Sequence, residues 1–331
     1  MSGARRHVTL AEPFRLYRGG QLAAVTLAYE TWGTLSGAGD NALLLFTGLS
    51  PSAHAASSEA DPSPGWWEYM IGPGKAIDTD RWFVICINSL GSCFGSTGPA
   101  SIDPTTGEPY RIDFPLLSVE DIVASARAAC LELGIEHFHT VAGSSLGGMD
   151  VLAYAAMYPG TCRNLISISA AVHATPFAIA VRSLQRDMIR SDPAWAGGRY
   201  AEGAGPSEGM RLARKLGIMS YRSGEEWRDR FGRNRLPAEQ RPGDSPLDPE
   251  FEIEGYLEYN ARRFIGNFDA NCYLYLSHAM DLFDLAEHGD GSVESAMARI
   301  DASRALVAGV QTDWLFPLDQ QREIARQLAH A

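Results

Sequence analysis

The chain has 331 residues, of which 45% are hydrophobic and 21% are charged, so it has enough apolar side chains for a large core and is not disordered in bulk. Its 40 acidic residues exceed its 28 basic ones and give a net charge of −12, which argues against a general nucleic-acid binder. The N-terminus lacks the apolar segment of a signal peptide, and apolar runs such as 42–46 are too short to cross a bilayer.

The cysteines are spaced too widely for a metal or disulfide motif. They are Cys86, Cys93, Cys130, Cys162 and Cys272, and no C-x-x-C pair occurs among them. Reduced thiols in the cytosol are the simplest interpretation, so we expect a cytoplasmic protein without a bound metal or a redox cofactor. We interpret Cys93 as a buried structural thiol.

Short apolar segments alternate with helical patterns in the first half of the chain. The patterns predict strands over 25–31, 42–46, 81–88, 138–142 and 165–169, and helices over 119–133 and 149–157. Gly134 is a plausible cap at the end of the first of these helices. This alternation favours an α/β fold, with a mostly parallel sheet covered by helices on both faces.

The pattern changes after residue 170. The segment from about Pro176 to Ala296 is charged, helix-like and rich in loops, and it is followed by a predicted buried strand over 305–310 and a helix over 318–329. We therefore interpret residues 1–170 as the first part of the core, 171–297 as an inserted helical lid, and 298–331 as the C-terminal part of the core. A separate C-terminal domain is a less economical alternative, because the core pattern returns after the insertion.

A G-x-S-x-G motif lies between a predicted strand and a predicted helix. It is Gly143-Ser144-Ser145-Leu146-Gly147, and the helix is expected to begin near Gly148. This context is typical of a nucleophile elbow, in which the helix N-terminus offers N–H groups to a developing oxyanion. We therefore predict that Ser145 is a nucleophile. The alternative is a glycine- and serine-rich turn without chemistry.

A nucleophilic serine needs a base and an acid that orients the base. Asp313 follows the strand over 305–310, where such an acid is expected in this fold class, although an aspartate that only caps the next helix is an alternative. Among the histidines only His330 follows Asp313, and it lies at the end of the predicted helix. We therefore expect the base to lie beyond Ala331, so that this chain is either truncated before it or an inactive product.

Several motifs resemble one family of acyltransferases. These are the segment from Gly65 to Gly107, which contains GSTGPAS, the sequence GSSLGGMDVLAYAAMYP around Ser145, the run DPAWAGG from Asp192, and DWLFP from Asp313. Together they resemble the homoserine O-acetyltransferase family, which also contains homoserine and serine O-succinyltransferases. The resemblance covers essentially the whole chain.

The resemblance implies an α/β-hydrolase fold with a helical lid and a homodimer. It also implies ping-pong acyl transfer from an acyl-CoA substrate through an acyl-serine enzyme, with no cofactor. Ser145 and Asp313 would then be the nucleophile and the acid, and the N–H groups of Leu49 and Leu146 would form the oxyanion hole. The family's histidine falls in a later G-H-D motif, which this sequence lacks.

Arg214, in the segment RLARKLG, matches the arginine that holds the amino-acid carboxylate in the family. A guanidinium is suited to this role because it can donate two parallel hydrogen bonds to a carboxylate. Without the resemblance, a charge on a helix surface would be the simpler interpretation.

The loop Pro51-Ser52-Ala53-His54 resembles the serine O-succinyltransferase branch, whereas acetyltransferases of the family usually carry glycine in place of Pro51. Proline fixes φ and stiffens the loop, and a tighter pocket would favour serine over homoserine. One methylene changes binding by only ~1–3 kcal/mol, so some activity on homoserine is expected. A neutral loop variant is the alternative.

Arg182 is the second departure from the acetyltransferase pattern. An arginine near the acyl pocket would pair with the distal carboxylate of a succinyl group, since an unpaired buried guanidinium is costly. The alternative is a solvated charge on the lid. The two features together predict transfer from succinyl-CoA to L-serine, which gives a precursor of cysteine. The alternatives are acetyl-CoA or L-homoserine as substrates, in methionine synthesis, a simple esterase, and a non-catalytic homologue.

Overall fold

The computed structural model describes residues 4–241, 245 and 247–328. Within these residues a seven-stranded sheet has the spatial order β1-β4-β8-β5-β9-β10-β11. These strands are β1 Arg6–Thr9, β4 Thr26–Trp32, β5 Ala42–Phe46, β8 Phe83–Ile87, β9 Phe138–Ser144, β10 Cys162–Ile168 and β11 Arg304–Ala308. The remaining strands form two short pairs, β2 Phe14–Arg15 with β3 Gln21–Leu22 and β6 Ile71–Gly72 with β7 Ile77–Asp78.

The five strands β8, β5, β9, β10 and β11 are parallel, whereas β1 and β4 pair antiparallel at one edge. Every residue of β5 is buried, which explains why its sequence is a continuous apolar run rather than an alternating one. The prediction of a mostly parallel sheet is therefore confirmed.

Helices cover the sheet and form the segment between β10 and β11. Those of the core are α1 Val119–Glu132, α2 Leu146–Met157 and α9 Leu318–Gln327. The part of the chain between β10 and β11, called the lid segment below, contains α3 Pro176–Ser191, α4 Ser207–Ser220, α5 Gly224–Phe231, α6 Glu252–Phe264, α7 Ala270–Leu282 and α8 Val293–Ala298. None of the helices in the described residues is both long enough and apolar enough to cross a membrane.

Helix α1 shows how local sequence fixes an element. Ser118 forms a capping box with Asp121, in which each side chain accepts a hydrogen bond from the backbone N–H of the other residue. The helix ends two residues before Gly134, which has a positive φ of 76°. The predicted helix over 119–133 is thus correct to within one residue.

Two predicted elements differ from the structure in an informative way. Helix α2 begins at Leu146, before the predicted start near Gly148. The glycines in its first turn do not mark a loop. They allow close packing, since a Cβ at Gly148 would lie 2.7 Å from the Cβ of Ala170. The strand predicted over 305–310 is present as β11 Arg304–Ala308, but the expectation that it is buried is wrong. Strand β11 lies at the edge of the described sheet and Leu306 is 56% exposed, since an apolar run predicts a strand but not its position in the sheet.

Gln321 fastens α9 to the chain segment that follows β10. Its Nε2 donates to the Ala170 carbonyl at 2.5 Å, and its Oε1 accepts from the Ala170 N–H at 3.2 Å. Both residues are buried, so the side chain satisfies two backbone groups that water cannot reach. The contact fixes α9, and with it the preceding turn that carries Asp313.

We expect Gln321→Met to lower the free energy of unfolding by ~1–3 kcal/mol, because it keeps the side-chain length but leaves the Ala170 groups unpaired. Urea unfolding measures this change. Arg322→Gln is the matched control, since Arg322 is exposed and its pair with Asp319 contributes little. Equal stability of the two variants would contradict the assignment.

Candidate active site

Ser145 occupies the single residue between β9 and α2. Its φ of 58° lies in the left-handed region, which residues with a Cβ rarely adopt. The Ser145 N–H donates to the Ile168 carbonyl at 2.9 Å, and its carbonyl accepts from the N–H groups of Gly148 and Met149. Hydrogen bonds on both sides therefore hold the strained residue in place, as is typical of functional sites.

The glycines of the motif are explained by close backbone contacts. A Cβ at Gly143 would lie 2.2 Å from the Gly147 carbonyl oxygen. A Cβ at Gly147 would lie 2.7 Å from the Phe46 oxygen and 2.8 Å from the Thr47 oxygen. The G-x-S-x-G spacing is thus a steric requirement, and it brings the loop after β5 against the first turn of α2.

Leu49 and Leu146 carry the predicted oxyanion N–H groups. Leu49 lies in the loop after β5, and Leu146 is the first residue of α2. Neither N–H has a hydrogen-bond acceptor within the described part of the chain. A Cβ at Gly48 would lie 3.9 Å from the Ser144 oxygen, so this loop lies beside the elbow. The arrangement leaves both donors available, and their role stays a prediction.

A cavity of about 200 Å³ opens at the elbow between the core and the helices of the lid segment. Its lining contains both Ser145 and Asp313, so the structure brings the predicted nucleophile and acid together. The other lining residues are Ser169, Ser220, Tyr221, Arg222, Ser223, Val310, Thr312, Leu315 and Phe316. Sequence reasoning missed Tyr221 and Arg222, because the polar stretch that contains them carries no motif.

Asp313 caps the turn before α9, which is one of the two roles that the sequence left open, and its role as the acid stays a prediction. Its Oδ1 accepts from the N–H groups of Leu315 and Phe316, each at 2.9 Å, and so closes the turn before α9. Its Oδ2 has no hydrogen-bond partner among the described residues and remains available to orient a base. No histidine within the described ranges lines this cavity, and His330 lies outside them.

Arg214 is not a surface charge. It lies on α4, is half-buried, and places its Cζ 4.5 Å from the ring centre of Phe264 and 5.7 Å from that of Tyr221. Its Nε is buried without a hydrogen bond, and no carboxylate among the described residues pairs with it. An unpaired guanidinium next to a cavity residue, Tyr221, is suited to a carboxylate ligand.

Arg182 has a partner within the chain. It is only 5% exposed, and its Nε lies 2.5 Å from Oδ1 of Asp281 on α7, while Arg186 lies 2.7 Å from Oδ2 of the same carboxylate. The alternative of a solvated lid charge is therefore wrong. The premise that this guanidinium lacks a protein partner is also wrong, because Asp281 comes from a helix distant in sequence. Arg182 does not line the 200 Å³ cavity, and its role in donor choice stays a prediction.

The loop Pro51-Ser52-Ala53 is fastened to its surroundings. The Pro51 carbonyl accepts from Nδ2 of Asn88 at 3.3 Å, and the Ser52 carbonyl accepts from Nε1 of Trp66 at 3.0 Å. The side chain of Ala53 is buried. The loop is therefore a rigid wall beside the elbow, as its proline suggests, whereas its effect on acceptor choice stays a prediction.

His54 is held by a buried carboxylate that the sequence analysis did not identify. Its Nδ1 lies 2.8 Å from Oε2 of Glu30, and its Nε2 lies 2.8 Å from the Ser63 carbonyl oxygen. Burial alone would lower the pKa of His54, but the bonds to Glu30 and Ser63 and the nearby charge of Asp61 outweigh it and raise that pKa. His54 thus stabilises the loop through its ion pair with Glu30, and it does not line the cavity at Ser145.

This ion pair predicts a dependence of stability on pH. Because the pKa of His54 is higher in the folded than in the unfolded protein, where it is about 6.5, its stabilisation is complete below that pH. It is then lost as the pH rises through the folded-state pKa. In urea unfolding we expect His54→Gln to destabilise the protein more at low pH than at high pH. His137 is exposed, so His137→Gln is the control and should leave the free energy of unfolding unchanged at both pH values. A loss of stability that does not vary with pH would contradict this.

No group of three His, Cys, Asp or Glu side chains within the described ranges is placed to hold a metal ion. The cavity at Ser145 contains a hydroxyl and a carboxylate, and the loop that carries Leu49 and the helix start at Leu146 lie beside the elbow. This combination is suited to nucleophilic acyl chemistry.

Comparisons with known proteins identify the family. The model of the α/β hydrolase fold matches residues 41–331. The chain is 71% identical to a serine O-succinyltransferase of Litchfieldella anticariensis, over all of this chain and 90% of that protein, and 56% identical to an L-serine/homoserine O-acetyltransferase of Streptomyces lavendulae, over 98% and 88%.

Two solved structures have nearly the same fold. The homoserine O-acetyltransferase from Bacillus anthracis matches with a TM-score of 0.87 at 30% identity, over 98% of this chain and 88% of that one. Esterase E22 matches with a TM-score of 0.86 at 31% identity, over 98% and 90%. The chain therefore belongs to the α/β-hydrolase fold family and, within it, to the acyltransferases that include the serine O-succinyltransferases.

Proposed function

We propose that this protein transfers a succinyl group from succinyl-CoA to the hydroxyl of L-serine through an acyl-enzyme at Ser145. The observation that carries the proposal is the strained elbow serine, which shares a cavity with Asp313 and lies beside two unused backbone N–H groups. Relatives 71% and 57% identical to the chain are named serine O-succinyltransferase, which supports this donor and acceptor.

In the first half-reaction, Oγ of Ser145 attacks the thioester carbonyl of succinyl-CoA and passes its proton to a base. The N–H groups of Leu49 and Leu146 stabilise the oxyanion, and coenzyme A leaves with the proton. Asp313 orients the base through its available Oδ2. In the family the base is the histidine of the G-H-D motif, which the present sequence does not contain.

In the second half-reaction, L-serine enters with its carboxylate on Arg214. The serine hydroxyl loses its proton to the base and attacks the ester carbonyl, which releases O-succinyl-L-serine and restores the Ser145 hydroxyl. Arg214 is suited to this task because its guanidinium is half-buried, lies over Tyr221 at the cavity, and has no carboxylate partner among the described residues.

The charge inside the lid segment supports a donor with a carboxylate. The guanidinium groups of Arg214, Arg182 and Arg186 all act on the buried Tyr273, whose pKa is raised by burial and by Tyr221 despite these cations. Asp281 supplies the carboxylate that Arg182 and Arg186 share, so one anion faces two guanidinium groups in this part of the chain. The remaining positive charge supports a donor that carries a carboxylate.

We also propose that the enzyme works as a homodimer in the cytoplasm and needs no cofactor. Exposed apolar side chains on α3 and α4, namely Leu184, Leu212 and Met219, support an interface on the lid segment. The cysteines are free thiols, as is usual for proteins of a reducing compartment.

Two other activities have specific support. The relative named L-serine/homoserine O-acetyltransferase and the homoserine O-acetyltransferase structure favour an acetyl donor or a homoserine acceptor as the alternative. The likeness to esterase E22 favours hydrolysis of the acyl-enzyme by water as a second alternative. All of these use the same acyl-serine, so they differ in donor and acceptor only.

The full-length protein, mixed with radiolabelled succinyl-CoA in the absence of an acceptor, should become labelled at Ser145. Peptide mapping locates the label, which should be absent in Ser145→Ala and present in the matched neighbour Ser144→Ala. Steady-state rates for acetyl- or succinyl-CoA with serine or homoserine should be highest for succinyl-CoA with serine.

The outcomes separate the alternatives. Faster labelling by acetyl-CoA would overturn the succinyl assignment, and a preference for homoserine would overturn the acceptor. Rapid loss of the label in water without an amino acid would favour the esterase. A protein that is never labelled by either donor would contradict acyl transfer itself.

Arg214→Gln should raise KM for L-serine by about 10- to 100-fold, because a hydrogen bond to a charged group contributes ~1.5–3 kcal/mol. The rate of Ser145 labelling by succinyl-CoA should change little, since the acceptor is absent from that step. Arg211→Gln is the control on the same helix, because Arg211 is paired with Glu208 and Glu258. A slower labelling step with an unchanged KM for serine would place Arg214 on the donor instead.

A further inference from the structure

A second cavity, of about 640 Å³, lies between the loop after β8 and the lid segment, and shares no lining residue with the cavity at Ser145. Its volume is in the range that suits a small-molecule ligand. Cys93, Arg111, Tyr200 and Asp269 are among the residues that line it. The acyl-transfer chemistry proposed above uses none of them.

Cys93 is half-buried and open to this cavity, so the expectation that its thiol is buried is wrong. Its Sγ accepts a hydrogen bond from the N–H of Asp269 at 3.4 Å. Asp269 is the N-cap of the 13-residue helix α7, so the sulfur lies at the positive end of a helix dipole.

Cys272 belongs to the same helix end. It is the third residue of α7, its side chain is fully buried, and its N–H donates at 2.9 Å to Oδ1 of Asp269, the residue whose N–H donates to Cys93. The two residues are 179 positions apart in sequence, since Cys93 belongs to the loop after β8 and Cys272 to α7. Sequence spacing therefore gave no indication that they pair.

The two thiols are chemically unequal. The hydrogen bonds from Cys272 and from the Asp269 N–H lower the pKa of Cys93, although burial and the Asp269 carboxylate oppose this. Burial raises the pKa of Cys272 well above its usual value, and it raises the pKa of Cys130 and Cys162 to about 12. Since the thiolate is the reactive form, the surroundings single out Cys93 as the nucleophile.

Arg111 supplies a cation in the same cavity. It is half-buried, with a positive φ of 50°, and its N–H donates to the Pro99 carbonyl at 2.6 Å, which fixes the backbone. No carboxylate among the described residues pairs with its guanidinium. The cavity thus places a cation without a protein partner and a hydrogen-bonded sulfur in one space.

We propose that Cys93 and Cys272 are a redox-active thiol pair, and that their oxidant is a small disulfide with carboxylate groups that binds in this cavity on Arg111. In the first step the Cys93 thiolate attacks one sulfur of the disulfide, forms a mixed disulfide and expels one thiolate. That thiolate takes the proton of Cys272, and the Cys272 sulfur then attacks Cys93 and expels the second thiolate. Two protein thiols are oxidised, and one small disulfide is reduced to two thiols.

The resulting bond would join the core to the lid segment. Cys93 belongs to the loop after β8, whereas α7 also carries Asp281, the partner of Arg182 and Arg186. A covalent link at the N-terminus of α7 restricts movement of this helix relative to the sheet. We therefore expect oxidation to slow acyl transfer reversibly; this consequence rests on the proposed function, whereas the thiol chemistry does not.

The test treats the full-length protein with glutathione disulfide and maps its thiols by mass spectrometry. We expect a peptide pair joined through Cys93 and Cys272, with the loss of two hydrogens, which dithiothreitol reverses. Cys272→Ser should accumulate the glutathione mixed disulfide at Cys93, whereas Cys93→Ser should leave Cys272 unmodified. Cys162→Ser is the control and should form the same joined peptides as the unmodified sequence.

The role of Arg111 is tested with two oxidants. Arg111→Gln should slow the reaction with glutathione disulfide about tenfold, because a hydrogen bond to a carboxylate is lost. It should leave unchanged the reaction with cystamine, a disulfide without carboxylates. An equal effect on both oxidants would overturn the assignment of the ligand class.

The inference is contradicted if Cys93 in the native protein is modified no faster than Cys130, or if oxidation leaves Cys272 free. An unreactive pair in a protein that transfers succinyl groups contradicts this inference alone. A reactive pair in a protein without transferase activity supports it and contradicts the proposed function.

Discussion

The passage of the chain from β9 to α2 through one residue is the constraint on which the site depends. Gly143 and Gly147 approach so closely that a Cβ on Gly143 would lie 2.2 Å from a backbone oxygen, and Ser145 is forced to a φ of 58°. Such a conformation costs of order 1–3 kcal/mol and persists only where the surroundings hold it. The parallel pairing of β9 with β5 and β10 provides that support, so the buried sheet stabilises the strained backbone conformation of Ser145.

The same contact organises the rest of the cavity. Because Gly147 packs on the carbonyls of Phe46 and Thr47, the loop after β5 lies beside the elbow and brings Leu49 and Pro51 with it. His54 then ties the far end of this loop to Glu30 on β4. A single steric requirement thus places the nucleophile, the available N–H groups and the wall of the pocket in one arrangement.

Helix α7 carries a residue of the thiol pair at one end and a residue of the ion-pair cluster at the other. Its first turn carries Cys272, and its last turn carries Asp281, which pairs with Arg182 and Arg186 of α3. Arg214 on α4 is left without such a partner among the described residues. Arg182 and Arg186 thus form a structural ion pair with Asp281, because their guanidinium groups have already exchanged water for a carboxylate. Arg214 remains available to a substrate.

Elements with local signals could be predicted from the amino-acid sequence. The apolar run of β5, the capping box at Ser118 and the glycines around Ser145 are each visible within a few residues of sequence, so the mostly parallel sheet and the elbow could be predicted from such signals. Only the packed structure shows how exposed β11 is within the described sheet and which partners the charged and thiol side chains have. Arg182 meets Asp281 across 99 positions, and Cys93 and Cys272 come together at Asp269 across a longer separation. Such contacts leave no periodic pattern in the chain, since they depend on how helices and loops pack after the sheet has formed.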